Sequence, residues 1–161
     1  MQPDPSFFTI LGAIAEVQTF DDCSLIMSVK DVDGGIVHLV VDGSVYVVDM
    51  EELSPGDSVL AYCDSSSPVP LVYPPRYRPS LMVRPERSVN YDFDSYGRDL
   101  VNSQGTLKLQ IGSDTEVILP NGQPFHGPLN GKTLLVEYKY STRSVPALTM
   151  PKKVIAFCPS A

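Results

Sequence analysis

Six tyrosine and arginine side chains lie close together near the middle of the sequence. They are Tyr73, Arg76, Tyr77, Arg78, Arg84 and Arg87. Aromatic rings mixed with guanidinium groups can stack on bases or sugars, and they can bind a carboxylate or a phosphate. Arginine stems can also cover apolar surface where two units pack together. We favour the interpretation that the cluster packs at the contact between two units of the chain. The alternative is that the same residues bind a ligand.

The chain has two histidines, His38 and His126. His126 lies in the loop 124–128 between Phe125 and Gly127, where it is a candidate ligand contact, although a solvated loop residue is the preferred interpretation. His38 alternates with apolar neighbours and is expected at the surface. Because no sequence signature supports a Ser-His-Asp or Cys-His arrangement, we predict no catalytic residues and no enzyme.

An acidic stretch partly matches a calcium-binding loop. Asp92, Asp94 and Gly97 fit its first, third and sixth positions, but Tyr96 and Ser103 stand where further ligands are required. The sequence favours an acidic linker at this point. Glycine-rich phosphate-binding loops are absent from the sequence, so we predict neither a metal nor a cofactor.

The three cysteines, Cys23, Cys63 and Cys158, have no close paired spacing. A thiolate zinc site or a redox pair would need such spacing. Cys63 falls within an apolar run and is expected to be a small buried side chain.

The charge of the chain is acidic and unevenly distributed. The formal net charge is −7, with −8 in residues 1–84 and +1 in residues 85–161. A nucleic-acid partner is therefore unlikely, since such binding requires a basic surface. A protein or a glycan is the expected partner, and head-to-tail association into a homo-oligomer is an alternative.

The pattern of apolar residues predicts an all-β protein. Fifteen prolines and eleven glycines punctuate short apolar runs, and no segment keeps a helical period. Alternation and turn signals place strands near residues 9–18, 24–30, 37–41, 45–48, 58–63, 80–85, 107–111, 116–119, 133–138 and 153–157.

The two halves of the sequence can be aligned as an internal repeat. An offset of 70 places Leu39 on Leu109, and an offset of 76 places Tyr62 on Tyr138. The second alignment also places Val69, Pro70 and Pro75 on Val145, Pro146 and Pro151. A register of this length predicts two copies of one unit, with the two Val-Pro pairs in matching conformations.

Each unit has about five predicted strands, one at residues 1–84 and the other at residues 85–161. Their order and spacing resemble the OB-fold, a five-stranded, partly open Greek-key barrel. We therefore predict two tandem OB-fold-like units, with a two-sheet sandwich as the alternative. The first strand of the second unit would be a continuation, through Met82 to Val89, of the strand predicted near residues 80–85. The two units would then share one long strand.

Two segments carry a family resemblance. Residues 67–77 and 141–147 are similar to segments of uncharacterised tandem OB-fold-like repeat proteins of anaerobic Gram-positive bacteria. In that group the unit sometimes stands beside cell-surface domains, so the resemblance implies a role at the cell envelope. It implies no activity and no functional residues.

The function expected from the sequence is that of a non-enzymatic binding or scaffold module that presents loops to a protein or a glycan. The alternatives are a tandem OB protein that binds single-stranded nucleic acid and an enzyme with a site where the units meet. Neither a signal peptide nor an apolar stretch of membrane-spanning length is recognisable. A cytoplasmic location is the default expectation, with association with the cell envelope as the alternative.

Overall fold

A computed structural model describes residues 6–158 of the chain. The prediction of an all-β protein is confirmed, since thirteen strands and two three-residue 3₁₀ helices make up its regular structure. No helix in these residues is long and apolar enough to cross a bilayer. The chain divides into two compact units at the boundary between Glu86 and Arg87.

The first unit, residues 7–86, contains a mixed seven-stranded sheet. Its strands are β1 (Phe7–Asp21), β2 (Ser24–Asp31), β3 (Ile36–Val41), β4 (Tyr46–Val47), β5 (Ser58–Asp64), β6 (Arg76–Tyr77) and β7 (Leu81–Val83). They lie in the order β4-β7-β5-β1-β2-β3-β6. A 3₁₀ helix, Val48–Met50, follows β4.

Aspartate side chains close the two turns of the β1-β2-β3 meander. Asp21 accepts hydrogen bonds from the Cys23 amide at 2.9 Å and the Ser24 hydroxyl at 2.7 Å. Asp31 accepts from the amides of Asp33 and Gly35 at 2.9 and 3.1 Å. Such Asx interactions are the reason why aspartate predicts turns at these places.

Strand β1 bends sharply, and the sheet bends with it. Register shifts between Ile14 and Glu16, and again between Thr19 and Asp21, interrupt its pairing with β2. Bulges of this kind increase the local bend and twist of a strand. Consequently, the rings of Phe8 in β1 and Tyr77 in β6 make an edge-on contact with centroids 5.3 Å apart, although β2 and β3 lie between their strands in the sheet.

The core of the first unit lies inside this bend. Its fully buried members are Ile10, Ile14, Met27, Val29, Val37, Leu39, Leu53, Val59, Ala61, Cys63 and Met82. The expected burial of Cys63 is confirmed, since its exposed fraction is 2%.

The second unit contains two smaller sheets. Its strands are β8 (Asn90–Tyr96), β9 (Leu107–Leu109), β10 (Glu116–Ile118), β11 (Lys132–Tyr138), β12 (Ala147–Thr149) and β13 (Lys153–Phe157). One sheet has the order β10-β13-β11-β8, and the other pairs β12 with β9 in parallel. A second 3₁₀ helix, Arg98–Leu100, follows β8. The larger sheet of each unit is mixed, and none of the three sheets formed by residues 6–158 closes into a barrel.

In the sequence Leu107, Leu109 and Ile111 alternate with Lys108 and Gln110, which predicts that the three apolar side chains are buried and the two polar ones exposed. Leu107 and Leu109 are buried, whereas Lys108 and Gln110 are exposed. Ile111 was expected to be buried as well, but it lies beyond the end of the strand and is 37% exposed. The alternation of apolar and polar residues therefore predicts burial only for the residues of β9 that pair with β12.

Three strands lie where the sequence predicted connections. The sequence predicts an acidic linker at residues 92–99, but residues 92–96 lie in β8, which pairs with β11 over its full length. It also predicts a proline-rich connection at residues 68–79, which contains β6. The third of these strands, β12, follows the predicted pair Val145-Pro146. The predicted shared strand is wrong, because β7 ends at Val83 and β8 begins at Asn90.

The ladder pairs correct the second alignment of the repeat. In the first unit Tyr62 pairs with Leu81, and Leu81 also pairs with β4. In the second unit Glu137 pairs with Lys153, and Lys153 also pairs with β10. Matching these pairings strand by strand would place Tyr62 on Glu137, whereas the sequence alignment places it on Tyr138. A shift of one residue moves a side chain to the other face of a strand.

The proline positions shift in the same way. Pro75 directly precedes β6, whereas Pro151 follows β12. Val145-Pro146 directly precedes β12, whereas Val69-Pro70 lies further ahead of β6. The predicted match between the two Val-Pro pairs is therefore wrong.

Candidate binding cavity in the first unit

A cavity of about 340 Å³ opens in the first unit beside β6. This volume falls within the range of small-molecule pockets, roughly 300–1,000 Å³. Its walls come from the two ends of β1, the end of β5, the loop after β5, and β6. The lining residues are Phe8, Phe20, Cys63, Asp64, Ser67, Pro68, Val69, Pro70, Arg76, Tyr77 and Arg78.

The bend of β1 explains why Phe8 and Phe20 line the same cavity. In a straight strand, two residues this far apart in sequence would be separated by roughly 40 Å. The bulges in β1 instead bring the strand's two ends to opposite sides of one opening. The cavity is thus a consequence of the sheet's curvature.

Arg76 is the central polar residue of the cavity wall. Its guanidinium carbon lies 4.9 Å from the centroid of the Phe20 ring, within the range of a cation–π contact. Its Nε is buried and donates no hydrogen bond to any of residues 6–158. Buried donors in folded proteins are nearly always paired, because an unpaired one costs about 1–3 kcal/mol.

The neighbouring arginines have carboxylate partners. Arg78, at the rim of the cavity, forms an ion pair with Asp42 at 3.1 Å. Arg84, at the end of β7, pairs with Glu51 and lies 3.9 Å from Asp57. Of these three guanidinium groups, only that of Arg76 has no ion pair among the described residues.

Residues 67–70, in the loop between β5 and β6, line one side of the cavity. Asp64 starts this loop by accepting hydrogen bonds from the amide and the hydroxyl of Ser66, at 2.9 and 2.8 Å. Pro68 and Pro70 then stiffen the wall, because proline fixes its own φ angle. The Asp64 carboxylate is therefore used to shape the loop.

Cys63 is the thiol in the cavity wall, and burial raises its pKa to about 12. At neutral pH the group is consequently a protonated thiol. Since the thiolate is the nucleophilic form of cysteine, Cys63 contributes apolar surface to the cavity.

The structure brings together three of the predicted site residues, Arg76, Tyr77 and Arg78, around the cavity. Tyr73 is 90% exposed and is not part of the wall. Arg84 has its own carboxylate partners, as described above. His126 lies in an exposed loop of the second unit.

The sequence reasoning missed the aromatic residues Phe8 and Phe20 and the loop residue Ser67. One signal was available for Phe20: an aromatic residue directly precedes the Asp21-Asp22 turn, where a polar residue is usual. No sequence signal identified Phe8, because its place in the cavity depends on the bend of β1.

A buried polar network in the second unit connects β8 with the segment that leads into β9. The Tyr96 hydroxyl and, at 3.2 Å, the Asn102 amide both donate to Asp92 Oδ2. Asn102 Oδ1 accepts from the amides of Thr106 and Leu107 at 2.8 and 3.1 Å. The members of this network satisfy one another, which indicates a structural role.

Burial raises the pKa of Asp92, and the hydrogen bonds from Tyr96 and Asn102 offset this only in part. Burial likewise raises the pKa of the Tyr96 hydroxyl. The network therefore contains a carboxylate whose charged form is disfavoured by folding, and this has a measurable consequence for stability.

We expect Asp92→Asn to stabilise the second unit increasingly as pH rises from about 3 to about 7, relative to the parent protein. A carboxyl whose pKa is raised by folding stabilises the protein below its unfolded pKa, and this contribution is lost as pH rises through the folded pKa. Asparagine does not ionise, and its amide oxygen can still accept from Tyr96. The measurement is amide hydrogen exchange at Leu134 and Val136 across this pH range.

Exposed carboxyls such as Asp21 and Asp42, whose pKa is lowered by hydrogen bonds from serine residues, change stability in the opposite direction. Both proteins carry them, so their effects cancel in the difference. A difference between Asp92→Asn and the parent that stays constant with pH would contradict the prediction.

No cluster of three or more histidine, cysteine, aspartate or glutamate side chains within residues 6–158 is arranged to hold a metal ion. Comparisons of the chain with protein families, with curated proteins and with solved structures found no match.

Proposed function

We propose that the protein is a non-enzymatic binding module built from two OB-fold-like units, and that the cavity of the first unit is its binding site. The observation that carries this proposal is the buried, unpartnered Arg76 Nε beside a cavity with apolar and aromatic walls. A donor of this kind is expected where a ligand supplies the acceptor.

Strand pairing supports the OB-fold part of the proposal. In the first unit β1, β2 and β3 form an antiparallel meander, β3 pairs in parallel with β6, and β5 pairs with both β1 and β7. These pairings match the strand order of a five-stranded, partly open barrel if β6 and β7 together are taken as its last strand, and they support the proposal in this way.

The second unit supports the repeat, because its pairings follow the same order. β11 pairs with β8 and β13, β13 with β10, and β9 with β12. The equivalent of β2 is reduced to two isolated bridges, from Asn102 to Tyr96 and from Val101 to Lys108. A tandem repeat accounts for the same order of pairing appearing twice.

The position of the cavity agrees with binding in this fold. OB-folds bind ligands on their middle strands, between the loop that joins strands one and two and the loop that joins strands four and five. Phe20 directly precedes the first of these loops, and Ser67–Pro70 belong to the second. The location of the binding site is inferred here by analogy with other OB-folds. The buried Arg76 Nε supports the same location independently.

The chemistry of the walls favours binding over catalysis. The Cys63 thiol is protonated, so it is not in the thiolate form that nucleophilic catalysis by cysteine requires. The strongly acidic charge of residues 1–84 favours a protein or a glycan over a nucleic acid as partner.

The experiment is a screen of glycans and displayed peptides with the full chain, repeated with the variant Ser67→Trp. An indole at the cavity rim should abolish binding of any ligand that enters the cavity. Ser113→Trp, at an exposed loop position of the second unit, is the matched control. A ligand that binds the parent and Ser113→Trp but not Ser67→Trp supports the proposal. The absence of any ligand, or ligands that bind all three proteins equally, would contradict it.

A further inference from the structure

We infer that the ligand of the first-unit cavity carries a carboxylate on an apolar body, and that Arg76 is the residue that binds this carboxylate. The inference rests on the proposed function, since it names the chemistry of the ligand for that same cavity. It depends on the orientation of one guanidinium group, on the charges around it and on the composition of the walls.

The orientation of Arg76 suits a carboxylate. The Arg76 guanidinium carbon lies over the Phe20 ring, 4.9 Å from the ring centroid. Arginine binds a carboxylate through two parallel hydrogen bonds donated from one edge of its guanidinium group. The unpartnered Nε–H belongs to that edge.

Arg76 is the arginine of the cavity lining that has no ion pair among the described residues. Asp42, outside the lining, pairs with Arg78 at 3.1 Å. Asp64, in the lining, accepts hydrogen bonds from Ser66 and forms no ion pair with Arg76. A carboxylate on the ligand would give Arg76 the kind of ion pair that Arg78 already has.

The remaining walls accommodate an apolar body. Phe8, Pro68, Val69 and Pro70 present carbon surface, and Cys63 is a protonated thiol. Tyr77 adds a ring that is held in place by its edge-on contact with Phe8. Such walls can cover a phenyl or aliphatic group of a peptide as well as the C–H face of a sugar.

The test compares matched pairs of small probes by nuclear magnetic resonance with the isotope-labelled full chain. The pairs are 3-phenylpropionate and its amide, N-acetylphenylalanine and its amide, and methyl glucuronide and methyl glucoside. Within each pair, one probe carries a carboxylate and the other carries a neutral group in its place. The three pairs differ in the rest of the molecule. The signals to follow are the Arg76 Nε–Hε group and the amides of Phe8, Phe20 and Ser67.

We expect at least one carboxylate to bind about tenfold or more tightly than its neutral partner, because hydrogen bonds to charged groups typically contribute at least this much. Arg76→Gln should remove that advantage and leave the affinity for the neutral probe unchanged. Arg84→Gln, which removes the same charge outside the cavity, should keep the advantage. The best pair then identifies the source of the carboxylate as a peptide or an acidic sugar.

The inference and the proposed function can fail separately. If charged and neutral probes bind the cavity equally and Arg76→Gln changes neither, the inference is wrong while the binding function stands. If no probe shifts the Arg76, Phe8, Phe20 or Ser67 signals, both are wrong. Shifts confined to other basic residues would also overturn the inference, because the carboxylates would then bind outside the cavity.

Discussion

Replacing Gly12 with alanine should destabilise the first unit by about 3 kcal/mol or more, a large effect for the addition of one methyl group. Gly12 lies in β1 between two partner strands, opposite Asp31 of β2 and Val59 of β5. A Cβ atom at this position would clash with the backbone carbonyl of Lys30 and lie only 2.8 Å from the Asp31 Cα. Since these are backbone atoms, the ladder itself would have to open.

Gly43→Ala is the matched control for this prediction. Gly43 belongs to the same unit, lies at the surface, and has no atom within 4 Å of the position that a Cβ would occupy. The same chemical change should there be neutral, or stabilising by less than about 1 kcal/mol. Hydrogen exchange of the Val29 and Val59 amides measures both variants. Equal stability of the two variants would show that β1 and β2 can separate at little cost.

Replacing Asp94 with asparagine should destabilise the second unit by about 3 kcal/mol or more. Asp94 is 4% exposed, and it anchors the loop after β8. Oδ1 accepts from the Ser95 amide at 2.8 Å, and Oδ2 accepts from the Ser103 amide at 2.9 Å. The Ser103 hydroxyl lies within hydrogen-bonding distance of both oxygens. Asparagine has one oxygen, so its amide nitrogen would have to face a buried N–H donor.

Asp99→Asn makes the same change of charge at an exposed position nearby and should cost little. Asp99 has a φ of 64°, which asparagine adopts as readily as aspartate does. Opening free energies of the Leu134 and Val136 amides, obtained by hydrogen exchange, measure both variants. Similar values for Asp94→Asn and Asp99→Asn would refute the anchoring role of Asp94.

Much of the fold could be predicted from local patterns. Alternation located β2, β3 and β11 to within one or two residues, and the Asp-Val-Asp-Gly-Gly run at residues 31–35 is typical of the hairpin turn that joins β2 to β3. These features depend on neighbouring residues alone. Side chains of alternate residues point to opposite faces of a strand, and turn residues act within a few positions of one another.

The short edge strands β6 and β12 escaped prediction because they are stabilised by partners far away in the sequence. Arg76 pairs with His38, and Ala147 pairs with Leu107. A segment of two or three residues is too short to show a periodic pattern of apolar residues, so the sequence does not predict it as a strand. These residues are strands because they pair with β3 and β9.

Strand β8 was predicted as a linker because its acidic residues looked like solvated positions. In the structure Asp92 and Asp94 lie opposite Val136 and Leu134, on an inner face of the second unit. The fold accommodates them with hydrogen bonds from Tyr96, Asn102 and Ser103. A buried carboxylate is tolerated only where donors surround it, and those donors are assembled by the tertiary structure.

The sequence by itself determined the all-β class, the positions of most strands and turns, and the arginines and tyrosine that line the cavity. The tertiary structure decided which of these residues meet. The bend of β1 joins Phe8 and Phe20 around one opening, and ion pairs engage Arg78 and Arg84 but leave Arg76 unpaired. The physical reason is that alternation and turn chemistry act over a few residues, whereas curvature and charge pairing depend on residues brought together from distant parts of the chain.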